Sequence, residues 1–422
     1  MNLNQSIHNA DWDEKALSDL GTFSRGKSRH RPRNDPALYA DGGYPLIQTG
    51  EIRAANLKIS DHIAEYNRVG LAQSKLWPEG TLCITIAANI AETALLEYPM
   101  CFPDSVVGFT ANADESSEIF MHYVFRYIRN AIQKSVTGSI QDNINIEYLT
   151  NLEFKIPKKW YQDKIASVLA ALDEKIELNQ RINAKLEALA KTIYDYWFVQ
   201  FDFPDENGRP YKSSGGAMEW NEDLKRNVPK GWKARDISSV ADVLGGGTPS
   251  KNNNDYWGVG FPFFTPSDAG SDVFRHETEH SITQLGLDRC STRAFPRGTV
   301  FITARGSVGK IVIAGRPMAM NQSCYALRPA DLECFPFVYE HAKTLVNYLK
   351  VKSTGSIFKS IISSDIHLTP LVEPPDSLVK DFSKKLRPAF ERMAAGVAEN
   401  QKLTQLRDWL LPMLMNGQVR VG

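Results

Sequence analysis

Two stretches of the chain carry apolar residues at the spacing of a long amphipathic helix. In the first, about 162–198, Leu172 and Leu186 fall on one heptad track; the second, about 377–414, repeats the pattern from Leu386. At about 1.5 Å per residue, each helix would be about 55–60 Å long, too long to bury its apolar seam against one small domain. We predict that the helices pair with each other in antiparallel fashion. The alternative is that each packs separately on its own domain.

An asparagine occupies an equivalent place in each of these helices, Asn179 in the first and Asn400 in the second. A polar residue within an apolar seam costs stability but can fix the register of the helices. A helix face turned to solvent at this level is the alternative.

The sequence before the first helix recurs, in the same order, before the second. Trp-Pro-Glu-Gly-Thr at 77–81 corresponds to Phe-Pro-Arg-Gly-Thr at 295–299, and Thr-Gly-Ser-Ile occurs at both 137–140 and 354–357. The offset between copies is nearly constant, whereas chance matches of short words would not stay collinear. The chain is therefore a duplicated unit.

Each copy begins with a β-rich region. In the second copy, 299–303 is predicted to be a strand, 304–309 a turn and 310–314 the returning strand. In the first copy, 81–87 and 92–96 flank a shorter turn. A short strand ending in proline closes each region and leads into the long helix.

The predicted fold class is α+β, with an internal pseudo-twofold repeat. Two similar domains of mixed or antiparallel β-sheet with helices are separated by two long, antiparallel, coiled-coil-like helices. The predicted boundaries are 1–157 for the first domain, 158–200 for the central spacer helix, 201–232 for a connector, 233–375 for the second domain and 376–422 for the C-terminal spacer helix.

Composition narrows the function classes only a little. The 422 residues contain 49 Lys and Arg against 49 Asp and Glu, so no overall positive field attracts the chain to nucleic acid. Five scattered cysteines fit a reducing compartment. The N-terminus has neither the basic start nor the apolar core of a secretory signal, and the most apolar stretch, 81–100, is interrupted by acidic residues. A cytoplasmic protein without a membrane span is expected.

Two motifs resemble catalytic sequences. His276 and His280 have the spacing of the His-Glu-x-x-His zinc motif, which requires both histidines on one helical face. The segment precedes a likelier helix start at Ser281, and a solvated loop is predicted instead. Residues 304–311 approximate a phosphate-binding loop but lack its leading glycine and its magnesium-binding hydroxyl. We therefore predict no catalytic residue and no metal site.

Local basic and polar residues are the candidates for DNA contact. The first copy has five cations within one loop, which could neutralise phosphates or bind guanine, although a solvated basic loop is the alternative. Asparagines at the matching place of the second copy could bond an adenine edge or simply form a turn. The predicted contacts are Arg25, Lys27, Arg29, Arg31, Arg33, Ser139, Lys251, Asn252, Asn253, Arg305, Lys310, Lys352, Ser356 and Lys359.

Aromatic and apolar residues gather near the ends of both long helices, in a cluster too large to leave in water. We predict that they bind a partner subunit, and burial within this chain is the alternative. The predicted partner contacts are Tyr194, Trp197, Phe198, Trp409 and Leu410.

The order of these segments resembles the specificity subunit of type I restriction–modification enzymes. Residues 355–361 (Gly-Ser-Ile-Phe-Lys-Ser-Ile) resemble the end of a target recognition domain, and 162–173 resemble the start of a spacer helix. Residues 186–198 are similar to the central region of the family, and 411–419 to its C-terminal end. The resemblance covers nearly the whole chain.

That resemblance implies a non-catalytic subunit with two target recognition domains, each recognising half of a split site in double-stranded DNA. It also implies two modification subunits that methylate adenine with S-adenosylmethionine, and restriction subunits, motor nucleases that use ATP and magnesium. No cofactor would bind this chain. The chain departs from a regular pattern at Gly396 and Arg407, which predict imperfect helix pairing, and Pro103–Asp104 stands where the second copy has Asn321–Gln322.

Two other function classes are weighed against this one. A metal hydrolase built on His276 and His280 would carry stoichiometric zinc. A structural scaffold without DNA contact would show no salt-sensitive binding to duplex DNA.

Overall fold

In the computed structural model, the described residues are 4, 6–87, 90–137, 146–352 and 360–422. The chain divides into two compact units. Unit 1 is Met1–Leu178 with Gln401–Gly422, and unit 2 is Asn179–Asn400. Both long helices contribute to both units: α5 (Lys159–Tyr194), which continues as one π-helical turn over Asp195–Val199, and α9 (Asp376–Met415).

Unit 1 has a five-stranded main sheet in the order β2-β10-β7-β8-β4 and a smaller sheet in the order β5-β3-β9-β6, while β1 pairs with β11. Its strands are β1 (Asp13–Ala16), β2 (Gly21–Arg25), β3 (Tyr44–Leu46), β4 (Lys58–Ile59), β5 (Ala64–Tyr66), β6 (Leu76–Trp77), β7 (Leu82–Thr85), β8 (Thr93–Leu96), β9 (Met100–Cys101), β10 (Val106–Ala111) and β11 (Glu153–Ile156). Its shorter helices are α1 (Thr49–Ala54), α2 (Arg68–Ala72), α3 (Glu118–Thr137) and α4 (Ile146–Thr150).

Unit 2 has a main sheet in the order β15-β22-β19-β20-β17 and a smaller sheet in the order β18-β16-β21; β12 pairs with β13 and β14 with β23. Its strands are β12 (Met218–Asn221), β13 (Arg226–Pro229), β14 (Lys233–Arg235), β15 (Ala241–Gly245), β16 (Trp257–Phe264), β17 (Phe274–Arg275), β18 (Ser281–Ile282), β19 (Val300–Thr303), β20 (Ile311–Ala314), β21 (Ala319–Met320), β22 (Cys324–Pro329) and β23 (Leu371–Glu373). Its shorter helices are α6 (Gln284–Asp288), α7 (Phe335–Lys352) and α8 (Ser363–His367).

The main sheets of the two units have equivalent strand orders and registers. Leu82 of β7 lies opposite Leu95 of β8, and Val300 of β19 lies opposite Ile313 of β20. In each main sheet the last strand runs parallel to its neighbour, and the other pairs are antiparallel. The α+β duplication predicted from the repeated words is confirmed.

The repeated Pro-x-Gly-Thr words form the turn that enters the central strand of each main sheet. Gly80 and Gly298 have φ values of 80° and 89°, a left-handed conformation that favours glycine. The threonine hydroxyl that follows donates to the proline carbonyl at 2.8 Å in both copies, Thr81 to Pro78 and Thr299 to Pro296. Turn geometry thus explains why these words recur.

Within unit 2, the helix seam contains the predicted asparagine pair. Asn179 is fully buried and its amide nitrogen donates to Asn400 Oδ1 at 2.9 Å, whereas the rings of Tyr194 and Phe382 lie 6.0 Å apart at the other end. The helices are therefore antiparallel here, and Asn179 lies in the seam rather than in solvent. At Gly396, a Cβ atom would lie 2.9 Å from the Asn183 side chain, so glycine permits close approach of the helices.

Within unit 1, the same two helices are joined by a buried charged group. Arg407 Nη1 lies 2.6 Å from Asp173 Oδ1, and both side chains are buried. Asn56 and Tyr123 also bond Asp173, each at 2.7 Å. Burial opposes the charge on Arg407, but Asp173 and Asp408 more than offset it and raise the pKa of Arg407. Arg407, from which imperfect helix pairing was predicted, thus has an acidic partner on the other long helix.

Among the described helices, none is both long and apolar enough to cross a membrane.

Candidate nucleic-acid interface

The basic loop of unit 1 follows β2, at the edge of the main sheet. A Cβ atom at Gly26 would lie 2.2 Å from the Pro103 carbonyl oxygen, so only glycine fits where the loop crosses the turn before β10. Further along, Gln73 Oε1 accepts the backbone N–H groups of Arg29 and His30 at 2.7 and 3.1 Å. The loop backbone is therefore fixed at both points.

Three of the five predicted cations converge on Asp104, in the turn between β9 and β10. Arg33 Nη2 lies 2.6 Å from one carboxylate oxygen and Arg31 Nη2 lies 3.5 Å from the other. Arg25 Nε donates to the backbone carbonyl of the same residue at 2.6 Å. The Arg31 and Arg33 side chains stay about half exposed, and Arg31 Nη1 also donates to the Ser28 and His30 carbonyls at 2.6 and 2.8 Å.

The two remaining cations of this loop, Lys27 and Arg29, are exposed. Asp35 closes the loop: the Ala37 backbone N–H and then the His30 ring bond its carboxylate and lower its pKa. The loop thus carries an outward-facing cationic surface, suited to phosphate contact or to guanine.

The corresponding loop of unit 2 follows β15 and is anchored in the same way. A Cβ atom at Gly246 would lie 2.3 Å from the Asn321 carbonyl oxygen, and the Thr248 hydroxyl donates to Gln322 Oε1 at 2.5 Å. Trp257 Nε1 donates to the Ser250 carbonyl at 3.1 Å and closes the loop. Its side chains are mostly uncharged, and Lys251 is its one cation.

The predicted contacts in this second loop differ in exposure and in the hydrogen bonds that they already make. Lys251 and Asn252 are exposed. Asn253 is half-buried, and its Oδ1 accepts the Asp255 N–H at 3.0 Å, capping a short 3₁₀ helix. The turn alternative therefore accounts for Asn253, whose carbonyl oxygen is already engaged.

The other predicted DNA contacts are dispersed. Arg305 is exposed in the turn between β19 and β20, and Lys310 Nζ donates to the Ala269 carbonyl at 2.8 Å. Lys352 is exposed at the end of α7. Three further predicted residues lie outside the described residues: Ser139, Ser356 and Lys359.

The His-Glu-x-x-His segment is not helical. His276 follows β17 and its Nε2 lies 3.1 Å from the Ala394 carbonyl oxygen, while His280 is exposed. Burial lowers the pKa of His276. Among residues 4, 6–87, 90–137, 146–352 and 360–422, no group of three or more His, Cys, Asp or Glu could hold a metal ion. Residues 304–309 form a turn between strands, as expected, rather than the start of a helix.

The predicted partner residues fall into two groups. Tyr194, Trp197 and Phe198 are buried in the core of unit 2, so burial within this chain, the alternative left open by the sequence, applies to them. Trp409 is 55% exposed in unit 1, and Leu410 is half-buried against the unit 1 core. Only the second group presents an apolar surface.

The sequence did not point to Asp104 and Gln322 as functional residues. Their turns differ in sequence, which cast doubt on a shared role, yet each side chain contacts the loop that follows the first strand of its main sheet. The available signal was the alignment of the two copies, which places both residues in the same turn.

The family model described as the type I restriction modification DNA specificity domain matches residues 9–188 and 229–380. The HindI specificity subunit of a type I restriction enzyme from Haemophilus influenzae is 26% identical over 68% of this chain and 73% of its own length. The MjaIX specificity subunit from Methanocaldococcus jannaschii is 22% identical over 97% of this chain and 94% of its length.

Among solved structures, the S subunit of a type I restriction–modification system from M. genitalium has a similar fold. Its TM-score is 0.61 at 17% identity, over 98% of this chain and 99% of that one.

Proposed function

The chain belongs to the type I restriction modification DNA specificity family, and from that premise we propose that it recognises a split target in double-stranded DNA without catalysing a reaction itself. It assembles with two modification subunits and with restriction subunits in the cytoplasm. S-adenosylmethionine, ATP and magnesium are then used by those partners and not by this chain.

One observation carries the proposal. Two units of equivalent topology each anchor a loop against the same turn, yet the loops present different chemistry. Arg31 and Arg33 in unit 1 are charged and suit guanine edges and phosphates. Thr248 and Asn252 in unit 2 are uncharged and offer hydrogen bonds to base edges. Two different half-sites require two similar domains whose contact side chains differ, and the two units have this arrangement.

The partner contact is proposed for an apolar surface on the long helices of unit 1. Trp409 is 55% exposed, and Leu406 and Leu178 are 44% and 46% exposed. Tryptophan is enriched among the residues that dominate protein–protein affinity, because it buries a large area on association. We assign this surface to the modification subunit.

The experiment for DNA recognition exchanges one domain. Residues 1–157 are replaced by the matching segment of a relative, and the methylated sites of cells carrying each version, with the modification subunit, are mapped. One half-site should change, while the other half-site and the gap should stay the same. A swap that changes both half-sites together contradicts independent recognition by the two units.

A matched insertion tests the gap. Four residues inserted near Asn179 add about 6 Å and about one helical turn to α5. If the long helices set the spacing, the gap should lengthen by one or two base pairs, about 3.4 Å each, and both half-sites should persist. A change in half-site sequence with an unchanged gap would contradict the spacer role.

A further inference from the structure

The two anchored loops share a contact that is not itself a predicted DNA contact. In each unit, one side chain from the turn before the last main-sheet strand in chain order bonds the loop that follows the first main-sheet strand. In unit 1 it is Asp104, which precedes β10, and in unit 2 it is Gln322, which precedes β22. The glycine anchors bring loop and turn together, since Gly26 and Gly246 leave no room for a Cβ atom.

In unit 1, the contact restricts two guanidinium groups. Asp104 is 32% exposed and engages one terminal nitrogen of each group, at 2.6 Å from Arg33 and 3.5 Å from Arg31. A guanidinium has five N–H donors in a planar fork. Arg31 Nη1 already donates to the Ser28 and His30 carbonyls, so Arg33 keeps more donors for a second partner than Arg31 does. Because arginine loses much rotamer freedom on binding, a carboxylate that holds it in place beforehand reduces that loss.

The carboxylate also has an electrostatic cost. A negative charge beside three arginines weakens the attraction of the loop for phosphates. Exposed ion pairs contribute little to folding stability, so stability is a poor reason for placing Asp104 there. Selective recognition is the property that improves when orientation is gained and non-specific attraction is lost.

In unit 2, the equivalent contact is uncharged. Thr248 donates to Gln322 Oε1, which leaves the amide N–H₂ of Gln322 without a partner among the described residues, and the Gln322 side chain is exposed. An oriented amide can donate to a base acceptor while its oxygen keeps a second lone pair. Glutamine is suited to adenine and arginine to guanine.

We propose that Asp104 and Gln322 determine the base preference of each unit: Asp104 as a positioning residue that orients Arg31 and Arg33 toward guanine, and Gln322 as the amide that, fixed by Thr248, contacts adenine. This inference rests on the proposed function, because it requires that the two loops face DNA bases.

The test uses the full-length chain with the modification subunit and a pool of duplexes of randomised sequence. Bound duplexes are sequenced for the wild type, Asp104→Asn and Gln322→Ala. For Asp104→Asn, the preference for guanine in one half-site should fall by about 10- to 100-fold, the value of one bidentate base contact. Affinity for non-specific duplex should rise, because a negative charge is lost. For Gln322→Ala, an adenine preference in the other half-site should fall.

Each variant is the matched control of the other, since each should leave the opposite half-site and the gap unchanged. A uniform rise in affinity with every base preference kept would show that Asp104 only screens charge, and would overturn the inference. An unchanged base preference, or a change in both half-sites, would overturn it too.

A double variant tests whether Asp104 acts through Arg33. The double variant Asp104→Asn/Arg33→Gln is compared with both single variants. If Asp104 acts through Arg33, the Asp104→Asn substitution should lower the guanine preference no further when Arg33→Gln is already present. An additive effect of the two substitutions overturns the inference. If the wild-type complex selects no sequence, the proposed function itself fails; if it selects a split site that Asp104→Asn selects equally, only this inference fails.

Discussion

The two units hold the same pair of long helices together with different chemistry. In unit 1, Arg407 and Asp173 form a buried ion pair, whereas in unit 2 a cluster of aromatic rings is followed by the amide pair Asn179 and Asn400. Strand order and register are equivalent in the two main sheets. The duplication thus preserves backbone pairing while the seam diverges, and the buried Arg407, Asp173 and Asn179 side chains each have a partner.

The loops show the same division between backbone and side chain. Gly26 and Gly246 make equivalent close approaches, yet the contacts they bring together are ionic in one unit and neutral in the other. A substitution that disturbs one unit should therefore leave the corresponding feature of the other unit intact.

The largest effect is expected in the unit 1 seam. Arg407→Leu removes the nearer cation of the buried Asp173 carboxylate and leaves, among the described residues, only Arg126, at 3.9 Å, so we expect a loss of about 3–5 kcal/mol in the free energy of unfolding. Replacing both Arg407 and Asp173 with leucine should recover part of that loss, because the buried carboxylate is removed together with its nearer cation. Arg126 keeps Asp408 at 3.7 Å. Chemical denaturation of the purified chain measures both.

The control for this prediction is Arg420→Leu, which removes an exposed arginine that lies 3.5 Å from Asp11. It should change stability by less than about 1 kcal/mol. Equal stability of Arg407→Leu and Arg420→Leu would contradict the role given to the buried pair.

The next effect concerns the basic loop of unit 1. Neutralising all five cations, Arg25, Lys27, Arg29, Arg31 and Arg33, should reduce the slope of log affinity against log salt concentration by up to about 4–5, since each phosphate contact contributes about 0.9. The measurement is duplex binding by the full complex across a salt series. An unchanged slope would show that the loop is only solvated.

The sequence predicted the parts of this molecule that depend on local patterns. Helical periodicity gave α5 and α9 nearly to their ends, and the recurring Pro-x-Gly-Thr words marked the entry to β7 and β19. These predictions succeed because both features leave a local signature. An amphipathic helix repeats its apolar residues at a fixed spacing, and a turn in the left-handed conformation favours glycine.

What escaped prediction depends on contacts distant in sequence. The partner of Arg407 is Asp173, and the arginine loop meets Asp104, both far along the chain. No local pattern encodes such pairs. Tyr194, Trp197 and Phe198 were predicted as partner contacts because their aromatic content is visible in sequence, whereas the unit 2 residues that bury them are not.

A smaller effect is expected in the unit 2 seam. Asn179 is buried and bonds Asn400, Glu399 and Arg392 at 2.9, 2.8 and 3.1 Å. Asn179→Ala should cost about 1–3 kcal/mol, since buried partners lose a hydrogen bond. The neighbouring Gln180 is exposed on the same helix, so Gln180→Ala is the matched control. Equal midpoints in thermal unfolding for the two variants would contradict the seam role.

The last effect is a pH dependence of the free energy of unfolding that is expected in unit 2. Burial raises the pKa of Glu340 on α7 to about 7, although Lys343 acts in the opposite direction. Because the folded-state pKa lies above that of the unfolded chain, the folded state favours the protonated acid. This contribution to stability is complete below about pH 4.5 and is lost as the pH rises through about 7.

Glu340→Gln mimics the protonated acid at every pH. The variant should be close to the wild type near pH 5 and exceed its free energy of unfolding by about 3 kcal/mol near pH 8, where the buried carboxylate of the wild type is ionised. Lys343 keeps a partner in the variant, because it also lies 3.1 Å from Glu187. Glu206→Gln, at an exposed position, should show no such pH-dependent difference. If Glu340→Gln is instead less stable than the wild type at pH 8, the ion pair with Lys343 outweighs the cost of burying the charge.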